Sequence, residues 1–315
     1  MALLKLRPSF KDYLWGGHRL VEDYHKEYEG SILAESWELS CHPDGPSYIV
    51  NGAYEGKTLQ EFIEAEGKAV LGTNCEHFEE FPVLAKFIDA RDNLSIQVHP
   101  DNSYALQHEG QYGKTEMWYV MDCEPGAYLY YGFNREITRE EFTERIANDT
   151  LPKVLHKVEV EKGDVLFIEA GTLHAIGKGI LIAEIQQNSN LTYRVYDYGR
   201  VGADGKKRDL HIEKALAVTN YIPLLKSKHC NPHLADCEYF TVDKLNLDGQ
   251  IMEKIWGYIG EESFASILIM EGEGNIACRG EVLPFQKGDS FFIPARSGSY
   301  HVCGQCEALV TTIRR

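Results

Sequence analysis

The sequence has no apolar run approaching the roughly 18 residues that a membrane-spanning helix needs. The apolar stretch between Met1 and Pro8 is too short for a secretory signal. Basic residues are also scarce, since 32 Lys and Arg stand against 48 Asp and Glu and give a formal charge of −16. This balance argues against binding to nucleic acid or to an anionic membrane surface. An anionic small substrate stays compatible with the sequence if a few Lys or Arg side chains gather at its site.

Paired cysteine motifs are missing as well. Eight cysteines are scattered along 315 residues, and Cys303 and Cys306 form a lone CxxC pair. A zinc ribbon needs a second such pair, so these thiols are expected to be buried or idle rather than bound to a structural metal. In a chain of this length without an export signal, reduced thiols and a cytoplasmic location are expected.

Strand patterns outnumber helical ones, which predicts a mainly β fold with a few helices in the N-terminal part. Short apolar or alternating runs are separated by turn residues along most of the chain. Helical periodicity is confined to residues 58–66, 138–146 and 209–218. The first two segments begin with the Thr-x-x-Glu pattern of a capping box, and Asp209 is predicted to open the third.

A β-rich unit occurs twice. The turn Lys162-Gly163-Asp164 precedes a short apolar strand and then His174, and Lys287-Gly288-Asp289 precedes a similar strand and then His301. This repeat resembles the second motif of the cupin barrel, which predicts two jelly-roll barrels in one chain. Because 226–232 is polar and ends in proline, we expect a catalytic, metal-binding cupin domain with helical insertions over 1–225. Residues 226–315 would form a cupin-like barrel without a metal site that covers the apolar outer face of the first.

Four residues of the first unit suit a metal site: Gln97, His99, Glu116 and His174. In a strand, Gln97 and His99 point to the same face because side chains alternate. Two imidazoles, a carboxylate and an amide oxygen favour zinc or another divalent first-row ion with one position left open. An open position is typical of a catalytic metal, so the pattern indicates an enzyme. Gln97 is the weakest of the four as a ligand, and water could take its place.

Taken in order, the motifs of the chain resemble those of type I mannose-6-phosphate isomerases of the short bacterial form, within the cupin superfamily. These motifs are Gln97–Asp101, Gly113–Trp118, Gly171–Ala175 and Gln186–Asp197, supported by Leu14–Gly17, Glu35–Ser40 and Phe81–Ile88. The resemblance implies a zinc-dependent enzyme that interconverts mannose 6-phosphate and fructose 6-phosphate through an enediol(ate). It also implies that residues matching Gln97, His99, Glu116 and His174 hold the metal.

The resemblance also suggests the catalytic residues. Arg194 matches an active-site arginine and, being always charged, would polarise the substrate oxygens rather than act as a base. A salt bridge from Arg194 to a neighbouring carboxylate such as Asp197 is the structural alternative. Glu184 matches a carboxylate near the metal, and burial would raise its pKa towards the working range of a base. Lys114 is the rival base, and a metal-bound water is a third possibility.

Two further residues, Lys86 and Ser95, match family positions near the substrate phosphate. The basic run from Lys206 to Arg208 follows a Gly-rich turn and is expected to be a solvated loop. Trp15 and Trp37 are candidates for the wall of the sugar pocket, with ordinary core packing as the alternative. A small-molecule sugar phosphate is the expected partner, and the sequence carries no prediction of an oligomeric state.

Other functions stay open on the sequence alone. The chain could isomerise another phosphorylated aldose, or it could be an iron-dependent oxygenase, which would not need Arg194 or the phosphate donors. A regulatory cupin that keeps its metal and binds a sugar phosphate without turnover is the non-enzymatic alternative.

Overall fold

Antiparallel strands dominate the computed structural model, which describes residues 3–202, 205–224 and 233–314. In chain order the strands are β1 (Leu4–Arg7), β2 (Ser9–Lys11), β3 (Glu35–Leu39), β4 (Tyr48–Ile49), β5 (Val83–Ala90), β6 (Ile96–Val98), β7 (Glu116–Cys123), β8 (Tyr128–Phe133), β9 (Leu155–Glu159), β10 (Val165–Ile168), β11 (His174–Ala175), β12 (Ile180–Gln187), β13 (Tyr193–Tyr196), β14 (Ala235–Asp236), β15 (Thr241–Asp248), β16 (Lys254–Ile259), β17 (Ala265–Cys278), β18 (Glu281–Gln286), β19 (Ser290–Ile293) and β20 (Gly298–Thr312). The predicted mainly β fold class is confirmed.

Short helices connect some of these strands. The α-helices are α1 (Arg19–Glu22), α2 (Leu59–Glu66), α3 (Asn102–His108), α4 (Arg139–Ala147) and α5 (Ile212–Val218), and single 3₁₀ turns cover Gly52–Tyr54, Lys68–Leu71, Thr73–Cys75 and Leu151–Val154. The capping box predicted for α2 is confirmed. The Thr58 side chain accepts a hydrogen bond from the backbone N–H of Glu61, and the Glu61 side chain accepts one from the backbone N–H of Thr58.

The capping prediction for α4 is only half right. Thr138 accepts a hydrogen bond from the backbone N–H of Glu141, as expected. The Glu141 carboxylate, however, pairs with Arg135 and Arg145 instead of returning to the cap. Two arginines within reach offer this carboxylate stronger, charge-assisted bonds than a backbone N–H does.

The predicted start of the third helix is wrong. Helix α5 begins at Ile212, not at Asp209. The segment before it is held against β13, because the His211 N–H donates to the carbonyl of Arg194 and the Asp209 carbonyl accepts from the Arg194 guanidinium. These bonds keep residues 209–211 out of the helix.

The N-terminal barrel consists of two sheets that face each other. One has six strands in the order β10-β7-β12-β5-β3-β2, and the other has five in the order β13-β6-β11-β8-β9. Between them lies an apolar cluster that includes Ile88, Trp118, Leu129 and Ile182. The outer face of the five-stranded sheet is covered by α4 and α5. Apolar side chains thus fill the space between the two sheets and also cover the outer face of the five-stranded sheet.

The second barrel is built on a nine-stranded sheet in which β17 and β20 are long enough to serve both layers. The first part of β20 pairs with β16 and the later part with β15, and β17 divides in the same way between β18 and β19. Strands β1 and β4, from the N-terminal part of the chain, complete this sheet, because β1 pairs with β19 and β4 pairs with β1. The proposed boundary between 225 and 226 lies outside the described residues, so that division stays a prediction.

The two barrels share a large apolar interface. Side chains of β7 and β12 that point away from the first barrel, such as Met117 and Leu181, belong to the same cluster as Phe264, Leu268 and Phe292 of the second. The expectation that the C-terminal barrel covers the outer face of the catalytic barrel is therefore confirmed.

The two Lys-Gly-Asp turns have the same geometry. Gly163 and Gly288 have φ angles of 96° and 94°, which glycine adopts without strain. In each turn the aspartate side chain accepts from the backbone N–H three residues earlier, at 2.8 Å for Asp164 and 2.9 Å for Asp289. The repeat seen in the sequence is thus a repeat of structure.

Candidate metal centre and active site

Three ligand-type side chains meet where the two sheets of the first barrel approach each other. Glu116 begins β7 and His174 begins β11, while His99 follows β6 by one residue. The Glu116 carboxylate lies 3.6 Å from Nε2 of His99 and 3.3 Å from Nε2 of His174. One ligand atom from each of the three residues lies within 4.8 Å of the others, and all three side chains are buried.

The hydrogen bonds of the two imidazoles orient them for metal binding. Nδ1 of His99 bonds to the carbonyl of Leu191 at 2.7 Å, and Nδ1 of His174 bonds to the carbonyl of Thr172 at 2.8 Å. A carbonyl accepts, so each Nδ1 carries the proton and each Nε2 keeps its lone pair. Burial, and next the charge of Lys114, hold the pKa of His99 well below its usual range and lower that of His174 to about 4. Both rings are therefore neutral, as metal ligands must be.

Glu116 supplies the negative charge of this centre. Its Oε1 is buried without a hydrogen bond, while Oε2 accepts from Lys114. Burial, and next the neighbouring Glu184 carboxylate, raise the pKa of Glu116. A buried carboxylate oxygen that lacks a partner and lies beside two imidazole lone pairs suits a divalent cation. The donor set present therefore fits a metal.

Gln97 lies in register with His174 across β6 and β11. Its amide nitrogen is 3.5 Å from Nε2 of His99 and 3.4 Å from Nε2 of His174, and its Oε1 accepts from Ser95 at 3.3 Å. The amide would have to turn over, and give up the bond from Ser95, before its oxygen could bind a cation. This arrangement agrees with its rank as the weakest predicted ligand.

A row of hydrogen-bonding and charged side chains crosses the six-stranded sheet beside the triad. Trp118, Glu184 and Lys86 are direct neighbours on β7, β12 and β5. The Glu184 carboxylate accepts from the Trp118 indole at 2.8 Å and lies 3.3 Å from the ammonium of Lys86 and 3.6 Å from that of Lys114. Lys86 also lies 3.6 Å from Glu35.

The expected rise in the pKa of Glu184 is wrong. Burial alone would raise the pKa, but the charges of Lys114 and Lys86 and the bond from Trp118 outweigh it, and the pKa lies below its usual range. Two ammonium groups at this distance stabilise the carboxylate more than burial destabilises it. Glu184 is therefore ionised at neutral pH.

Arg194 projects into the same space from β13. Its Nε donates to Ser95 at 3.3 Å, and its Nη1 donates to the carbonyl of Asp209 at 2.9 Å. The alternative in which Asp197 pairs with Arg194 is wrong, because Asp197 is bound by Arg200 and Arg208. Among the described residues no carboxylate forms a salt bridge with Arg194, so its charge is available to a ligand.

A cavity of about 240 Å³ brings these residues together. Seven of the nine predicted site residues line it: Lys86, Ser95, Gln97, Lys114, His174, Glu184 and Arg194. The other two, His99 and Glu116, are buried in contact with Lys114. Trp15 also lines the cavity, whereas Trp37 is fully buried beside it and donates to Glu35.

Several residues that line this cavity were not predicted from the sequence. Tyr13, Glu35, Asn190 and Thr192 line the cavity and were not predicted, although all but Tyr13 lie within recognised motifs. Arg208 was expected in a solvated loop, but it lines the cavity and is held by Asp197. The pairing of Arg208 with Asp197 joins residues 11 positions apart, and no local pattern indicates such a contact.

His301, the counterpart of His174 in the second barrel, has different neighbours. The His301 ring packs against Trp256, with ring centroids 4.6 Å apart. Cys303 and Cys306 are free thiols on strand β20. Within the described ranges, the triad in the first barrel is the one cluster of His, Cys, Asp or Glu spaced to hold a metal, and no helix is long and apolar enough to cross a membrane.

A jelly-roll barrel with a His-Glu-His cluster at the end of its cavity is the arrangement of a cupin metalloprotein. Comparison with known proteins narrows this class. The family described as phosphomannose isomerase type I, catalytic domain, matches residues 3–126, and the cupin domain of mannose-6-phosphate isomerase matches residues 231–313. The chain belongs to the type I phosphomannose isomerase family.

Relatives match over nearly the whole chain. The mannose-6-phosphate isomerase ManA of Bacillus subtilis is 38% identical over 98% of both chains. Mannose-6-phosphate isomerase of Streptococcus mutans is 36% identical over 98% of this chain and 97% of its own. A crystal structure of the Bacillus subtilis mannose 6-phosphate isomerase superposes with a TM-score of 0.89 at 33% identity, covering 99% of each chain. The resemblance predicted from the motifs is confirmed.

Proposed function

We propose that this protein is a mannose-6-phosphate isomerase that interconverts mannose 6-phosphate and fructose 6-phosphate with one bound divalent cation, zinc by preference. Family membership supports the reaction. The observation that carries the proposal is the buried triad His99, Glu116 and His174 at a cavity that also contains Arg194, which has no carboxylate partner within the described chain. We place the enzyme in the cytoplasm, where its phosphorylated substrates are found.

His99, Glu116 and His174 would hold the ion, with Gln97 or water as the fourth ligand. A bound cation supplies Lewis-acid polarisation of the sugar oxygens. The chain's own residues then have to move one proton between the two carbons of the reacting bond and another between their oxygens.

Glu184 is the best candidate for the base that moves the carbon proton. It lines the cavity and is ionised, whereas Lys114 donates to Glu116 and would have to lose a proton before it could accept one. We assign to Lys114 the proton transfer between the oxygens, because an ammonium group is a donor. Arg194 would stabilise the negative charge that develops on the enediolate.

The phosphate end of the substrate is assigned to Ser95 and Arg208, next to Arg194. Ser95 and Arg194 already share a hydrogen bond, and Arg208 adds a second guanidinium to the same wall. Arginine suits phosphate because its planar fork matches two oxygens at once. Lys86 lies between Glu35 and Glu184, so we assign it to orienting Glu184 and the sugar rather than to the phosphate.

Purified protein supplied with zinc should convert fructose 6-phosphate into mannose 6-phosphate, followed by proton NMR. Arg194→Ala should lower kcat by roughly a hundredfold, in line with the loss of an oxyanion donor, while its zinc content stays near that of wild type. Arg135→Ala is the matched control, since that arginine lies half-exposed before α4 and pairs only with Glu141 among the carboxylates of the described chain.

Each alternative function has its own outcome in this experiment. No conversion with any divalent ion would overturn the isomerase proposal. Binding of the sugar phosphate without turnover would favour the regulatory cupin, and turnover of a different phosphorylated aldose would correct the substrate. Loss of zinc in Arg194→Ala would mean that this arginine has a structural role.

A further inference from the structure

Asp197 follows directly after β13 and is 7% exposed. It lines a second cavity next to the substrate cavity, and the two share Tyr13, Trp15 and Arg208. None of the roles assigned above belongs to Asp197, although its neighbours include a residue assigned to the phosphate.

The Asp197 carboxylate binds one edge of the Arg208 guanidinium group. Its Oδ2 accepts from Nε of Arg208 at 2.8 Å, and its Oδ1 accepts from Nη2 at 2.6 Å. A bidentate pair of this kind fixes the plane of the guanidinium. With Nε and one N–H of Nη2 engaged, Arg208 can offer Nη1 and the second N–H of Nη2 to a ligand in the cavity.

The same carboxylate also holds Arg200, through Nε at 3.2 Å and through Nη2. Arg200 in turn donates to the carbonyl of Asn93, two residues before Ser95. Asp197 therefore links three parts of the chain that meet at the phosphate end: the segment that leads to Ser95, the end of the strand that carries Arg194, and the segment of Arg208.

The positive charges of the arginines near Asp197 favour a carboxylate at this position. Burial, and next the charge of Arg208, lower the pKa of Arg194. Burial opposes the ionisation of Asp197, but its bonds to Arg208 and Arg200 outweigh that effect and lower its pKa. One ionised carboxylate thus offsets part of the repulsion among three cations.

We propose that Asp197 is a positioning residue for the substrate phosphate: it fixes Arg208 at the cavity and keeps Arg200 and Arg208 from repelling each other. The phosphate then meets an Arg208 guanidinium that is already fixed in position, and the ordering cost of binding is lower. This inference rests on the proposed function, since it concerns the phosphate end of that same site.

The test is Asp197→Asn, which keeps the shape of the side chain and removes its charge. KM for fructose 6-phosphate and the inhibition constant of inorganic phosphate should both rise roughly tenfold to a hundredfold, the cost of losing charge-assisted hydrogen bonds. The value of kcat should stay within about threefold, because the interaction is made equally in the ground state and the transition state. Zinc content should not change.

Two further variants show whether the effect passes through Arg208. Arg208→Gln should raise KM to a similar extent, and the double variant Asp197→Asn/Arg208→Gln should be no worse than Arg208→Gln alone, since residues that act together are not additive. Asp12→Asn is the matched control. That aspartate lines the second cavity with the same arginines and is exposed.

An unchanged KM and inhibition constant in Asp197→Asn would overturn the proposal, and so would a fall in kcat that accounts for the whole loss of kcat/KM. If Asp197→Asn does not fold, Asp197→Glu replaces it. The added methylene displaces Arg208 while the charge is kept, so KM should again rise, and an unchanged KM overturns the proposal.

Direct binding of inorganic phosphate, measured by calorimetry on the zinc-loaded protein, separates this inference from the proposed function. If wild type binds phosphate and the Asp197→Asn variant binds it more weakly, Asp197 has the proposed role even if no isomerisation is found. If wild type isomerises fructose 6-phosphate but both proteins bind phosphate equally, the proposed function stands and the role of Asp197 is wrong.

Discussion

The indole Nε1 of Trp118 donates a 2.8 Å hydrogen bond to the carboxylate of Glu184, its direct neighbour across β7 and β12. This bond holds one carboxylate oxygen, and the ammonium groups of Lys86 and Lys114 face the other. The proposed base is thus fixed in position and kept ionised by groups on the two neighbouring strands, β5 and β7, and by Lys114 just before β7.

Trp118→Phe removes this bond and keeps the bulk of an aromatic ring. We expect kcat to fall roughly tenfold, because a base held less firmly gives up part of the contribution of general base catalysis. Zinc content should be unchanged. Steady-state kinetics with fructose 6-phosphate measure the effect, and Trp256→Phe, an exposed tryptophan of the second barrel, is the control. A kcat equal to that of wild type would show that Trp118 does not support the base.

His99 and Gln97 are predicted to contribute unequally to zinc binding. His99→Ala should leave purified protein with almost no zinc and lower turnover by more than about a hundredfold, since even residues that only support ligands are worth 10- to 100-fold in metal affinity. Gln97→Leu should keep most of its zinc, because the amide nitrogen rather than the oxygen faces the imidazoles. Atomic emission spectroscopy measures both contents. Equal zinc loss in the two variants would make Gln97 a full ligand.

Lys26 forms a buried ion pair in the N-terminal part of the chain and a hydrogen bond to the second barrel. The Lys26 ammonium lies 2.6 Å from the Glu38 carboxylate and donates to the carbonyl of Gly288 in the second Lys-Gly-Asp turn. Lys26→Met should destabilise the protein by about 3–5 kcal/mol at neutral pH, because it leaves a buried charge without a partner. In Lys26→Met/Glu38→Gln, where no buried charge remains, most of this loss should be recovered.

The loss of stability caused by Lys26→Met should depend on pH. Burial raises the pKa of Glu38 above its ordinary 4.5, and Lys26 opposes that rise. Without Lys26 the pKa of Glu38 in the folded protein rises further. The resulting loss in the free energy of unfolding is therefore absent at pH values below the pKa of this carboxyl group in the unfolded chain, and it grows as the pH increases. Denaturant unfolding of wild type and variant at about pH 4.5 and pH 7.5 should show a smaller difference at the lower pH. The same difference at both values would contradict this account.

Local patterns in the sequence predicted the elements that carry the metal site. The alternation at Gln97 and His99 placed both side chains on one face, and the Lys-Gly-Asp turns revealed the two barrels. Each of these signals lies within a few residues, where strand geometry and turn chemistry act directly.

Predictions failed where distant contacts decide the structure. Arg208 belongs to the site because Asp197 holds it, and Glu184 is ionised because Lys86 of β5 and Lys114, which lies just before β7, face it. Helix α5 starts late because Arg194 binds the segment before it. Helix α3, capped by Asp101, was not predicted, since a seven-residue helix shows little periodicity.

The central claim is that one cation held by His99, Glu116 and His174 is required for isomerisation. The most direct measurement is a titration of metal-stripped protein with zinc, in which bound zinc and conversion of fructose 6-phosphate are followed together. Activity should return in proportion to bound zinc and saturate at one ion per chain, whereas Glu116→Gln should recover almost none. Full turnover by the metal-free protein, or by Glu116→Gln without bound zinc, would contradict the account.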